Sequence, residues 1–167
     1  RVTESLIQPK TLRAMDVNPE SLLGLVQDLT ATQRLALPDI FRYWQDAKRI
    51  KKEEATMSDF LAYFKERGEE YEGDYDTINI AGDKSAVKLT SSTRSSIHRK
   101  LNGVTKFFDS PIAQPVEAKE TLKAGKITAV DLVDSIEFGA VLLNQILIGV
   151  LKAKNDDLRL PPILFLI

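Results

Sequence analysis

The residues best suited to a chemical role lie between positions 84 and 106. This segment holds six lysines and arginines and no aspartate or glutamate, whereas the whole chain has a formal net charge of -1. The six are Lys84, Lys88, Arg94, Arg99, Lys100 and Lys106. Positive charge and N–H donors suit contact with a nucleic-acid phosphate backbone, which needs no base reading. We therefore predict that all of these residues except Lys84 contact nucleic acid.

A solvated helix face is the alternative interpretation of the same segment. In that case the cations would pair with the acidic residues at positions 66–76 rather than with a ligand. Helical spacing places Arg99 and Lys106 away from the apolar side formed by Ile97, Leu101 and Val104. Packing therefore does not require these two cations, and the sequence leaves both interpretations open. His98, alone on the flank of this helix, is expected to be structural or exposed.

Asp131 is the candidate catalytic residue. It lies at the carboxyl end of a predicted strand at residues 127–131, where the ligands of open parallel sheets gather and where a carboxylate can orient water or a metal. The alternative is that Asp131, Asp134 and Ser135 end the strand and cap the following helix.

A phosphate-binding loop is not visible in the sequence. Gly68 and Gly73 have the required glycine spacing, but Asp74-Tyr75 follows in place of Lys-Ser/Thr. The chain has no cysteine and a single histidine, which excludes disulfides, thiolate zinc sites and multi-histidine metal sites. Trp44 lies at helical spacing among apolar residues, so we expect a core position rather than a base-stacking platform.

Helices dominate the first 110 residues in our interpretation. Asn18-Pro19 begins a helix whose apolar spacing continues to Leu29, and Thr30 and Gln33 form a capping-box pattern that begins a second helix. We expect Pro38 to kink or interrupt that second helix, which extends to about Ile50. A third helix is predicted from about residue 58 and a fourth from residue 91 or 92 to about 108. Residues 69–83, rich in acids and glycine, are predicted to be a loop.

The remainder, residues 111–167, has the pattern of a partial parallel sheet. A short helix is predicted at 117–123, and strands at 127–131 and 163–167 flank a largely apolar helix at 135–154. Such a strand–helix–strand unit forms a right-handed crossover between adjacent parallel strands. The predicted fold class is thus mostly α with a small α/β part, divided near residue 110. Because the chain begins without methionine and stops within an apolar run, we expect an internal fragment. No leader sequence is visible, so a cytoplasmic location is expected.

The second half resembles the HerA-like branch of the HerA/FtsK P-loop ATPases. Gly125-Lys126, the apolar strand ending in Asp131-Leu132, the long helix and the run that begins Leu160-Pro161-Pro162 follow the order of that family's motifs. Residues 29–33 are similar to the start of the family's helical insertion. Asp134 stands where the family more often has a small residue. The Walker A and Walker B motifs would lie outside the chain, the latter directly after Ile167.

The resemblance implies a segment of an ATP-driven DNA translocase or helicase that is inactive alone. The parent protein would use ATP and Mg²⁺ as cofactors. It would act as a hexameric ring on DNA, beside a nuclease partner. Two alternatives stay open, a non-enzymatic helical adaptor and a helical DNA-binding module that uses residues 84–106. No membrane association is expected.

Overall fold

A computed structural model describes residues 10–26, 28–115 and 136–156. Its helices are α1 (Leu22–Leu25), α2 (Ala31–Lys51), α3 (Met57–Glu70), α4 (Ser91–Val104) and α5 (Ile136–Asp156), with 3-10 turns at Pro19–Ser21 and Thr105–Phe107. Its strands are β1 (Lys10–Thr11), β2 (Asp74–Ile78), β3 (Lys84–Lys88) and β4 (Gln114–Pro115). The described part is therefore mostly helical, with two small two-stranded sheets, one of them parallel.

The capping signals locate the starts of the long helices. Thr30 accepts from the Gln33 backbone N–H at 3.3 Å while the Gln33 side chain accepts from the Thr30 N–H at 3.1 Å, so the predicted capping box is confirmed. The helix α2 then continues through Pro38 without a break, and the expected interruption is wrong. Pro38 and its neighbours Leu37 and Ile40 are buried, and this packing outweighs the missing hydrogen bond.

The first predicted helix is shorter than its apolar spacing suggested. A 3-10 turn begins after Asn18, whose side chain accepts from the Glu20 N–H, and α1 ends at Leu25. Val26 is extended and Asp28 has a φ of 55°, so the backbone leaves the helix before Leu29. Leu29 is nevertheless buried, so the apolar spacing correctly indicated which residues are buried but overestimated the length of the helix.

Part of the predicted loop at residues 69–83 is a β-hairpin, so that prediction is wrong for residues 74–78. The strands β2 and β3 pair antiparallel, with Tyr75 opposite Val87 and Thr77 opposite Ser85. Tyr75 and Thr77 point into the protein and are 0% and 3% exposed. Their burial fixes the register, because a shift by one residue would bury Asp74 and Asp76 instead.

An aromatic cluster joins the hairpin to the helices. Phe41 and Trp44 of α2 pack against Phe60 of α3, with ring centroids 4.7 Å and 5.2 Å from it, respectively. Phe64 stacks on Tyr75 at 4.9 Å, and the Tyr75 hydroxyl donates to the Phe64 carbonyl oxygen at 2.6 Å. Trp44 is 2% exposed, which confirms its predicted core position.

The segment before α1 ties the two halves of the chain together. The strand β1 pairs in parallel with β4, and Leu12 bridges to Phe108. The helix α5 packs on α1, where a Cβ at Gly24 would lie 3.0 Å from Val141 Cγ2. The described residues on both sides of position 110 thus contribute to one core.

The helix α5 agrees with the predicted helix at residues 135–154 to within two residues at each end. The predicted strands at 127–131 and 163–167 and the predicted helix at 117–123 lie outside the described residues. The parallel crossover therefore stays a prediction.

Candidate nucleic-acid interface

The helix α4 presents one buried side and one polar side. Ile97 and Leu101 are fully buried and Val104 is nearly so, packed mainly toward α3. The opposite side carries Arg99, and Lys106 lies in the 3-10 turn that directly continues the helix, so the α4 face includes this turn; both cations are exposed as predicted. Lys106 follows Arg99 by seven positions, which is close to two helical turns, so the two cations lie roughly 10 Å apart along the axis.

The exposed side of α4 is free of acidic residues along its whole length. Ser92, Ser95 and Asn102 share it with the two cations and are also exposed. Hydroxyl and amide groups also donate hydrogen bonds to phosphate oxygens. Within the part of the chain that the structure describes, neither Arg99 nor Lys106 forms an ion pair. The Lys106 ammonium lies 4.9 Å from the centroid of the Phe107 ring.

Two of the predicted contact residues take part in internal contacts. Arg94 is half-buried, and its Nη1 donates to the Leu89 carbonyl oxygen at 3.3 Å. The Lys100 ammonium donates to the Asp28 carbonyl oxygen at 2.5 Å and so holds the turn after α1 against α4. Both side chains therefore have a role in folding, and their contact with nucleic acid stays a prediction.

Lys88 is the last residue of the hairpin strand β3, three positions before the first residue of α4. It is exposed, and its partner across the antiparallel ladder is Asp74. Residues directly opposite in such a pair have Cβ atoms about 5 Å apart, so an acidic residue neighbours Lys88. Of the predicted contact residues, Arg99 and Lys106 are the two that are exposed on the α4 face and have no acidic residue opposite them.

The acidic stretch at residues 66–76 pairs with cations outside the segment 84–106. Asp76 accepts from Arg67 Nη2 at 2.9 Å, and the Arg67 guanidinium carbon lies 3.6 Å above the centre of the Tyr71 ring. No ion pair joins the two segments among the described residues. Internal charge pairing thus does not account for the cations of α4.

A group of tyrosines surrounds the Arg67–Asp76 pair. Burial raises the pKa of Tyr63 to about 12. Burial also raises the pKa of Tyr43 above its usual 10.0, and the nearby Asp76 carboxylate raises it further. These phenols stay protonated at neutral pH, so they do not act as bases.

The glycine spacing at positions 68 and 73 has a packing explanation. A Cβ at Gly68 would collide with the Tyr75 hydroxyl and with the Arg94 side chain, and one at Gly73 would collide with Arg94 and the Leu89 carbonyl. Gly73 also has a φ of +91°, which favours glycine. Both glycines let the base of the hairpin close against α3 and α4.

A cavity of about 30 Å³ lies between the β1 segment and α5, lined by residues that include Thr11, Val17 and Gln145. It has room for one or two water molecules and is far smaller than a nucleotide pocket. Among residues 10–26, 28–115 and 136–156, no three His, Asp or Glu side chains are grouped to hold a metal ion. Asp131, the candidate catalytic residue, lies outside these ranges.

Sequence reasoning did not single out Gly103, which is exposed on α4 between Arg99 and Lys106. A glycine inside a predicted helix was the available signal, since glycine weakens helices and needs a reason to be there.

No protein-family model matches this chain, and searches of curated proteins and of solved structures found nothing significantly similar. In the described ranges, no helix combines the length and the apolar character that crossing a membrane requires.

Proposed function

We propose that this chain is a segment of an ATP-driven DNA translocase of the HerA/FtsK kind, and that α4 supplies a phosphate-contacting face. The observation that carries the proposal is the acid-free polar side of α4, on which Arg99 and Lys106 are exposed and unpaired with any described acid. The order of the apolar motifs at residues 125–167 supports the wider assignment to such an ATPase.

The roles of the residues on α4 follow from their chemistry. Arg99 and Lys106 attract the phosphate backbone and displace its counterions, while Ser95 and Asn102 hydrogen-bond to phosphate oxygens. Such contacts carry no base information. A motor that moves along DNA needs this kind of binding, because it must hold every sequence it meets.

ATP and Mg²⁺ belong to the parent protein in this proposal. The Walker A loop would precede this segment and the Walker B acids would follow it, with Asp131 near the bound nucleotide. A homo-oligomeric ring around DNA, beside a nuclease, would multiply the weak contacts of each subunit.

The test is duplex DNA binding by the 167-residue chain, measured by fluorescence anisotropy between about 50 and 200 mM salt. Replacing Arg99 and Lys106 by alanine is expected to weaken binding. The slope of log affinity against log salt should flatten by about one unit for each phosphate contact that is lost.

A matched control removes two cations from other surfaces. Lys65 of α3 and Lys152 of α5 are exposed, and the double variant Lys65→Ala/Lys152→Ala changes the net charge equally. This control should keep most of the affinity and the full salt slope. Equal losses in both double variants would indicate a general charge effect, and an unchanged Arg99→Ala/Lys106→Ala variant would rule out the α4 face.

An ATP-independent helical DNA-binding module is a second candidate, because the α4 face forms entirely within the helical part. The reading frame after Ile167 separates the two candidates. An Asp-Glu pair directly following the apolar run supports the ATPase, and a continuation without it removes that support.

A further inference from the structure

Gly103 is exposed on α4, and neither packing nor backbone conformation within the fold requires glycine there. An added Cβ would meet no described atom within 4 Å, so close packing does not require its absence. Gly68 and Gly73 differ, because a side chain at either one would collide with its neighbours.

The backbone at Gly103 does not require glycine either. Positive φ values among glycines are found at Gly73 and Gly82, and Gly103 is not one of them. Thr105, which follows the helix, is still right-handed with φ of -56°, and the chain continues as a 3-10 turn to Phe107. Glycine therefore does not end the helix in a left-handed cap here, and it weakens α4 relative to alanine.

The position of Gly103 relative to the two cations supplies a reason. Arg99 precedes it by four residues on the same helix, a spacing at which side chains are neighbours, and Lys106 follows it by three residues in the 3-10 turn that continues α4. Glycine has no side chain to cover the helix surface at this position, and we call the surface at position 103, together with the two cations on either side of it, the Arg99–Gly103–Lys106 depression. Asn102, the preceding residue, is also exposed and carries an amide donor.

We propose that the Arg99–Gly103–Lys106 depression receives one phosphate of the nucleic-acid backbone at close range. The absent Cβ lets the phosphate approach the helix surface while both cations contact its oxygens. A longer side chain at position 103 would hold the phosphate away from both cations at once. This inference rests on the proposed function, since it assigns the point of closest contact on the same face.

The first test compares Gly103→Ala and Gly103→Leu with the wild-type chain in stability and in duplex binding. The alanine variant should raise Tm by about 1–3 °C, because alanine favours the helix. The same variant should weaken DNA binding by about threefold, and leucine by at least about tenfold, through steric exclusion. Gain of stability together with loss of affinity is the expected signature.

The control for added bulk is Ala62→Leu on α3. Ala62 is also exposed on a helix but lies near the acidic residues Asp59 and Glu66, so its substitution should leave binding unchanged. Gly103 variants that bind as well as wild type would overturn the inference.

A second measurement uses the unaltered chain and is independent of any folding effect. The amide resonance of Gly103 should shift on titration with duplex DNA in a ¹H–¹⁵N spectrum. Gly82, which is exposed in the hairpin turn with no described atom near its Cβ position, is the matched reference and should not shift. Equal shifts, or none at Gly103, would contradict the assignment.

The two proposals fail in different ways. If Arg99→Ala/Lys106→Ala leaves binding unchanged, the α4 face and the depression are both wrong. If that double variant weakens binding while the Gly103 variants and the Gly103 resonance are unaffected, the face stands and the depression alone is wrong.

Discussion

The junction around Asp109 and the outer side of α4 use polar residues in opposite ways. At the junction, the Asp109 carboxylate accepts from the Ala14 N–H at 3.1 Å and from the Met57 N–H at 2.7 Å. Buried Gln45 donates to the carbonyl oxygens of Ala14 and Val17 at 2.6 Å and 3.0 Å. These polar atoms have partners within the fold, whereas the Arg99 and Lys106 charges have no ion-pair partner among the described residues.

This difference separates residues that folding explains from residues that it leaves unexplained. Asp109 and Gln45 satisfy backbone groups that would otherwise be buried without hydrogen bonds, which accounts for their presence. Removing Arg99, Gly103 or Lys106 would break no described hydrogen bond. A residue whose type the fold does not require is a candidate for contact with something outside the fold.

Asp109→Ala should produce the largest loss of stability. The substitution leaves two backbone N–H groups without acceptors and places alanine at a φ of 51°, where asparagine and aspartate are better tolerated. We expect the free energy of unfolding to fall by about 3 kcal/mol, as measured by urea denaturation. Asp109→Asn keeps one acceptor oxygen and the backbone preference, so it should lose about half as much.

The exposed pair Asp46–Arg49 provides the control for that prediction. Asp46→Ala removes a surface ion pair of 3.1 Å and should change the free energy of unfolding by less than about 0.5 kcal/mol. If Asp109→Ala and Asp46→Ala lowered the free energy of unfolding by similar amounts, hydrogen-bonded interior polar groups would stabilise the fold no more than surface ion pairs do, against our expectation.

Local signals made the long helices predictable. The capping box at Thr30 and the apolar spacing of α4 are contained within a few residues, so the sequence alone indicates where these helices begin and which side is buried. The same spacing indicated which residues lie on the outer side of α4 and of the turn that follows it, including Arg99 and Lys106.

The hairpin and the parallel pair were missed for different physical reasons. Aspartate is disfavoured in strands, and Asp74 and Asp76 concealed the alternation that buries Tyr75 and Thr77. The parallel pair joins Lys10 to Gln114 across the chain, and strands of two residues have no local pattern. The Asp109 contacts likewise depend on tertiary structure, which spacing within the sequence does not reveal.

Ser21→Ala should have a smaller effect at the second polar junction. The buried Ser21 hydroxyl accepts from Asn144 Nδ2 at 3.2 Å and from Gln145 Nε2 at 3.1 Å, which links α5 to the start of α1. Both amides lie at a partly accessible surface and can rebind water, so we expect a loss of about 1 kcal/mol in urea denaturation. Ser58→Ala, at an exposed position of α3, is the control and should be nearly neutral. A loss above about 3 kcal/mol for Ser21→Ala would show that α5 detaches.

Tyr63 and Tyr75 provide a matched pair, because burial raises the pKa of each to about 12. The Tyr75 hydroxyl donates to Phe64, whereas the buried Tyr63 hydroxyl has no partner among the described residues. At neutral pH, Tyr75→Phe should therefore lose about 1 kcal/mol, and Tyr63→Phe should be neutral or slightly stabilising.

The same pair predicts the response to alkaline pH. A pKa raised above the usual 10.0 favours the protonated folded state, so this stability is fully present below pH 10 and is lost as the pH rises toward about 12. Phenolate absorbance should rise together with unfolding in that range. Ionisation of both tyrosines near pH 10 without unfolding would contradict their burial.

The smallest expected effect is the binding of ATP. It tests whether the α4 face binds the many phosphates of a DNA backbone more tightly than the few phosphates of a single nucleotide. The sequence contains no Gly-x-x-x-x-Gly-Lys-Ser/Thr loop, which supplies most of the phosphate contacts in P-loop ATPases. Calorimetric titration with ATP and Mg²⁺ should therefore give no micromolar binding. A nucleotide offers one short row of phosphates, so the α4 cations alone would hold it weakly, whereas duplex DNA offers many adjacent phosphates.

Micromolar binding abolished by Arg99→Ala/Lys106→Ala would make α4 a nucleotide site instead of a DNA face. Micromolar binding abolished by Asp131→Ala would place a complete nucleotide site within this chain, and the segment could then no longer be regarded as inactive alone.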